Sequence, residues 1–138
     1  MKKSVVQRDS MGCGIACVAC VCDISYDKAK SLFKFPENAN TKGYTIKAIN
    51  EALASYGLKY KSKYIGRARD YKIKENSIVY FKKCKIFPYG HYMVKTDHGY
   101  MDPFINLHEV NYDIKKASCG FRKICTETIV LITEPIQK

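Results

Sequence analysis

Gln7, Cys13, His91 and Asp102 are the residues whose types and order could carry nucleophilic thiol chemistry. That chemistry needs a thiol held as thiolate, a base within hydrogen-bond reach, and donors aimed at the oxyanion. Cys13 stands between Gly12 and Gly14 at the head of the apolar run CGIACVACVC. A helix starting there places Cys13 at the positive end of the helix dipole, where a thiolate is stabilised. Gly14 lets a backbone or a substrate approach closely. Gln7, upstream on an extended stretch, offers a side-chain N–H to the same spot. A blander reading stands beside this one: cysteine also serves as a small hydrophobe in ordinary cores.

The base must come from the second half of the chain, which holds the three histidines His91, His98 and His108. His91 opens the run HYMVKT after the turn FPYG, His98 falls in the turn signal DHG, and His108 follows Pro103 in a loop. Asp102 ends the return run GYMDP. If the two runs pair as a hairpin, Asp102 can face His91 and orient its imidazole, which completes a triad by spacing alone. Pro103 then fixes the chain just after Asp102.

A metal cage is the remaining chemical reading of the cysteines. Cys17 and Cys20 share a helical face and Cys22 lies off it. Structural zinc sites instead pair Cys-x₂-Cys on a turn with a distant second pair, and Cys84, Cys119 and Cys125 supply no such pair. No metal and no cofactor are expected. Seven cysteines without a signal sequence point to reduced thiols rather than a disulfide framework.

The elements that must position these residues follow from periodicity. The nearly all-apolar segment from Cys13 to Cys22 reads as a buried helix. Ser25 caps a second helix over 26–34, which Pro36 stops. PENANTKG reads as a polar loop. Thr45 or Thr41 opens a third helix in which Ile46, Ile49 and Leu53 form one face and Gly57 ends it. Beyond it LKYKSKYI alternates, SIVYFKK and HYMVKT are short β-branched and aromatic runs, and TETIVLIT is a last strand. Helices first and strands later predict an α+β fold with a mostly antiparallel sheet.

At 138 residues the chain fits one domain, 1–138, with a core that needs no staples. An apolar share of 46%, with 11 Tyr and 6 Phe, excludes disorder. No apolar stretch approaches the roughly 18 residues needed to cross a bilayer, and no signal peptide is recognisable. The expected location is the cytoplasm. The net charge of +11 is spread along the chain, without the basic stripe or motif of a nucleic-acid binder. It reads as a solvated lysine-rich surface or as a surface for an acidic peptide partner.

Gln7, Asp9 and Cys13-Gly14-Ile15-Ala16-Cys17 resemble the nucleophile motif of the bacteriocin-processing, double-glycine-leader cysteine peptidases, a papain-like family. KGYTIKAINEALASYGLKYKSKYI resembles that family's next helix and basic strand, and GHYMVKT with GYMDP is similar to its His strand and Asp-Pro. The resemblance spans about residues 5–105, in the order Gln, Cys, His, Asp. It implies a papain-like fold in which Cys13 is the nucleophile, His91 the general base and acid, and Asp102 its orienting partner. It also implies an oxyanion hole from Gln7 and the Cys13 backbone N–H. The implied substrate is a peptide or protein cut after small residues of the Gly-Gly type. Gly12 stands where the family commonly has an acidic residue, and the His-to-Asp hairpin is short. With no transporter segment following, a free-standing domain is expected. The alternative is a catalytically silent module that holds a leader peptide or a protein partner.

Overall fold

The computed structural model describes residues 5, 8–65, 71–81, 90–97, 99–101, 103 and 129–136. Its first element, α1 (Cys13–Cys22), has no polar side chain besides its thiols, and every residue from Gly14 to Cys22 is buried. A helix apolar on all sides is stable only when neighbours cover it on all sides. Asp23 ends it in the left-handed conformation, and the Ile24 N–H reaches back to the Ala19 carbonyl at 3.1 Å.

Helix α2 (Tyr26–Ser31) starts at Ser25, whose Oγ accepts the Lys28 N–H at 3.1 Å. It ends short of the expected 26–34. The Leu32 and Phe33 amides bond three residues back, to Ala29 and Lys30, so the last turn tightens. Phe33 then turns to meet Tyr44, with ring centroids 4.4 Å apart. The expected polar loop at PENANTKG is also corrected. Pro36–Asn40 forms a 3₁₀ helix with Pro in its first turn. It is held in place because Ala39 is buried and its carbonyl accepts the Met11 N–H at 2.7 Å. Helix α3 (Ile46–Tyr56) runs from the Thr45 cap to Gly57, whose φ of +100° is the left-handed stop that favours glycine. Of the two threonines considered, Thr45 is the one that caps.

Among the described residues five strands follow: β1 (Tyr60–Tyr64), β2 (Ile78–Phe81), β3 (His91–Thr96), β4 (Gly99–Met101) and β5 (Ile129–Pro135). They form one antiparallel sheet in the order β1-β5-β2-β3-β4. The hairpin expected at DHG is present: Thr96 pairs with Gly99 across it. The α+β, antiparallel architecture is therefore as expected. The insertion of β5 between β1 and β2 is a long-range pairing that local patterns do not encode.

Alternation divides the sheet into two faces. Ile78, Tyr80, Tyr92, Val94, Met101 and Leu131 join the helices in one core. Val79, Phe81, Met93 and Ile132 form a second, smaller cluster with Ile65, Tyr71, Ile73 and Tyr100. Thr133 reaches α3, donating its hydroxyl to Asn50 Oδ1. Glu134 is buried, accepts the Tyr71 hydroxyl at 2.5 Å, and lies 3.5 Å from the Lys74 ammonium in an ion-pair contact. The Tyr71 hydrogen bond holds its carboxyl below the ordinary glutamate value, against the burial that raises it and with help from Lys74.

A carboxyl with a lowered folded pKa stabilises the fold above its ordinary value of 4.5, and that contribution is lost as pH falls through the folded value. Tyr71→Phe removes the donor. It is expected to cost on the order of 1–2 kcal/mol at pH 7 and to flatten the acid limb of a urea-midpoint against pH curve below 4.5. An unchanged acid limb would show that Tyr71 is not what holds the carboxylate.

Candidate active site

Cys13 is the first residue of α1 and is half-buried, while Cys17, Cys20 and Cys22 of the same helix are buried in the core. The first intrahelical bond near it runs from the Ala16 N–H to the Gly12 carbonyl at 3.0 Å. The amides of Cys13, Gly14 and Ile15 thus have no partner within the helix. No acidic side chain occupies the first turn. These features leave the N-terminal end of α1 positively polarised around the thiol.

The turn that launches α1 is fixed by Asp9. Its carbonyl accepts the Gly12 N–H at 3.1 Å. Its carboxylate accepts the Tyr26 hydroxyl at 2.7 Å and the Lys30 ammonium at 3.1 Å. Burial raises the Asp9 pKa, but the hydrogen bonds from Tyr26 and Lys30 and the Lys30 charge outweigh it, so the net direction is down. The same partners act oppositely on Tyr26, where burial first and then the Asp9 carboxylate push the phenol up. Gly12 has no room for a side chain, because a Cβ there would overlap the Tyr26 hydroxyl. On the other flank, a Cβ at Gly14 would stand 3.3 Å from Ile49 Cδ1 and 3.7 Å from Tyr44 Cβ.

Helix α1 packs on β3, the strand that His91 opens. His91 is 3% exposed and pairs with Phe81 of β2. Tyr92 follows it, with a buried ring tilted against Tyr80 at 5.0 Å and a hydroxyl donating to the Tyr44 carbonyl at 2.7 Å. Burial, then the negative charge of a Cys13 thiolate, raises the pKa of both Tyr80 and Tyr92. Both phenols therefore sit within electrostatic range of the thiol. Alternation along β3 gives His91 the parity of Met93 and Phe81, opposite to that of Tyr92. The β2–β3 ladder itself runs in register through the Phe81–His91 pair, and the irregularities lie beside it. Gly90 has φ +82°, and the β2–β5 register shifts between Tyr80 and Phe81. Such irregularities re-aim neighbouring side chains.

Gln7 and Asp102 lie outside the described residues, as do His98, His108, Cys84, Cys119 and Cys125 and positions 126–128 of the last expected strand. Among the described residues no cluster of His, Cys, Asp and Glu could hold a metal ion. Also among them, no helix is long and apolar enough to cross a membrane. The sequence reading left out Tyr26, Tyr44, Tyr80 and Tyr92, whose roles depend on contacts between distant segments. The only local signal was the placement of Tyr92 directly after His91 and of Tyr80 within SIVYF.

The Peptidase C39 family matches residues 1–134. The chain belongs to this family, that of the bacteriocin-processing cysteine peptidases. The search of curated proteins found no match. Among solved structures, the chain is similar to the peptidase domain of Streptococcus ComA, described as a bifunctional ABC transporter involved in a quorum-sensing pathway. The TM-score is 0.60 and the identity 18%, with both chains covered in full. At that identity the likeness concerns the fold.

Since the Tyr26 hydroxyl occupies the space beside Gly12, Gly12→Ala is expected to destabilise by about 1–3 kcal/mol through overpacking. Paired with Tyr26→Phe, which vacates the hydroxyl position, the alanine should cost less. Urea melts of the two single variants and the double variant check this, and simple additivity would refute the steric account.

Proposed function

We propose that the protein is a cysteine peptidase that cleaves a peptide or protein substrate after small residues of the Gly-Gly type. The observation that carries the reading is the placement of Cys13. It is the half-buried cysteine of α1, stands at the helix N-terminus, and packs against the same core cluster as Tyr80 of β2 and Tyr92 of β3. Membership in a cysteine peptidase family supports the same reaction type.

In this reading the Cys13 thiolate attacks the carbonyl carbon of the scissile bond. The resulting oxyanion is met by the Cys13 backbone N–H and by Gln7. The imidazolium of His91, oriented by Asp102, gives its proton to the leaving amine as the carbon–nitrogen bond breaks, leaving a thioester on Cys13. A water molecule, deprotonated by His91, then attacks the thioester, releases the acid product and restores the thiol. For this the imidazole must reach the Cys13 side of the sheet at the first residue of β3. The reaction requires no metal, and the cytoplasm is the expected setting for the reduced thiol.

A groove with a volume of ≈ 520 Å³ beside α3 includes Phe33, Phe35, Tyr44, Lys34, Lys42 and Lys47 in its lining. Through Tyr44 it adjoins the wall behind Cys13. Aromatic surface ringed by lysines suits an acidic, partly apolar peptide segment. The strand alternation that gives His91 the parity of Met93 favours a second reading, a module that binds such a peptide without cutting it.

Alkylation of the native protein by iodoacetamide against pH, read by peptide mapping, separates the two. An unperturbed thiol titrates near 8.5. A Cys13 paired with His91 should react fast at pH 6, and His91→Ala should slow it by roughly tenfold or more. Cys13→Ala should lower kcat on a Gly-Gly peptide by at least about 10³-fold. A Cys13 that reacts like an ordinary thiol, and is indifferent to His91→Ala, would leave the binding module.

A further inference from the structure

We infer that Tyr92 is the positioning residue of the Cys13–His91 pair. The hydrogen bond from its hydroxyl to the Tyr44 carbonyl is a strut that holds the strand carrying the base against the helix start carrying the thiol. This rests on the reading of Cys13 as nucleophile and His91 as base.

Proton transfer between the two needs a fixed separation, yet they come from opposite halves of the chain. Tyr92 directly follows His91 in β3, on the face of the strand that joins the helices in one core. Its ring is buried and tilts against Tyr80, and its hydroxyl donates to the Tyr44 carbonyl at 2.7 Å. Tyr44 precedes α3, and its Cβ stands 3.7 Å from the point a Cβ at Gly14 would occupy. Gly14 is the neighbour of Cys13 in α1. The far end of the strut is itself anchored. The Tyr44 hydroxyl is shared between the Phe35 and Pro36 carbonyls, at 2.9 and 3.0 Å, and its ring packs on Phe33. Contact by contact, the path runs from the residue after the base to the residue after the nucleophile.

Ladder hydrogen bonds hold β3 to β2 and β4, but they do not hold it to α1. Apolar packing between strand and helix is non-directional and leaves their relative shift loosely set. A phenylalanine at 92 would fill the same volume. What the hydroxyl adds is a directional bond at the end of a rigid ring. Burial, the leading cause, raises the Tyr92 phenol, so it stays a donor throughout the working pH range.

Alkylation of Cys13 by iodoacetamide at pH 6, read by peptide mapping, tests the assignment on the full chain. Wild type, Tyr92→Phe, His91→Ala and the double variant are compared, with circular dichroism to confirm folding. Tyr92→Phe keeps the ring and removes the strut. It should slow Cys13 by about threefold or more, and add nothing further in the His91→Ala background. General loosening would instead act in both backgrounds. On a Gly-Gly peptide, Tyr92→Phe should lower kcat by about tenfold with KM little changed. Tyr60→Phe, which removes a comparable hydroxyl bond at β1, should move neither readout. If Tyr92→Phe does not fold, Tyr44→Phe, which frees the far end of the strut, takes its place with the same expected direction. A Tyr92→Phe that alkylates like wild type, or slows equally with and without His91, overturns the strut and leaves the peptidase reading standing. A Cys13 indifferent to His91→Ala means there is no thiol–imidazole pair, and both readings fall.

Discussion

The wholly apolar α1 is the constraint on which the other elements depend. Each buried Val, Ile or comparable side chain contributes about 1.5–3 kcal/mol relative to exposure. From Ile15 to Cys22 the helix presents such side chains in every direction. It needs α2 and α3 on two sides and the sheet on the third, and all three pack against it. The thiol chemistry is a by-product of the same arrangement. A helix buried along its length still has one end, and at that end the amides point outward around Cys13. The turn that exposes this end depends on Asp9, a carboxylate held by a phenol and an ammonium from α2. The element that covers α1 therefore also sets where it begins.

Tyrosines join the two halves of the molecule. Tyr92 of β3 donates to the backbone before α3. Tyr44 returns its hydroxyl to the Phe35 carbonyl at 2.9 Å. Tyr60 of β1 donates to the Asn76 carbonyl at 2.8 Å. A ring that fills apolar volume and ends in a donor suits a boundary where helices meet strand ends, since the irregular backbone there has carbonyls to satisfy. This accounts for an aromatic composition rich in tyrosine in a chain without tryptophan.

Much of this was legible in the sequence because it is local. The span of α1 could be read from its lack of polar residues, the start of α3 from Thr45 and its end from Gly57, and the β3–β4 hairpin from DHG. Cys13 could be placed at a helix N-terminus by the glycine on either side. What could not be read depends on segments far apart in the chain. Pro36–Asn40 looked like loop because its residues are polar, yet Ala39 is buried by a bond from Met11 on the other side of α1. Helix α2 was expected to run longer because Phe33 continues its apolar face, but that ring turns to Tyr44. Tyr80 carried only the signal of its place within SIVYF. Its hydroxyl fills the space a Cβ would take at Gly90, which follows it only after a strand ends and another is about to begin.

The position of β5 has a kinetic consequence. Tyr60 pairs with Pro135, and Ile78 with Thr133, so β5, an interior strand of the sheet, is the latest in chain order among the described strands. Contacts between such distant residues are costly in loop-closure entropy and form late. Until β5 arrives, β1 has no neighbour in the sheet, and β2, β3 and the three-residue β4 form only a small antiparallel meander with its β2 edge unpaired. The helix bearing Cys13 can form early from its own residues. The wall facing it becomes firm only when the far end of the chain has docked, so reactivity at residue 13 is timed by residues more than a hundred positions away.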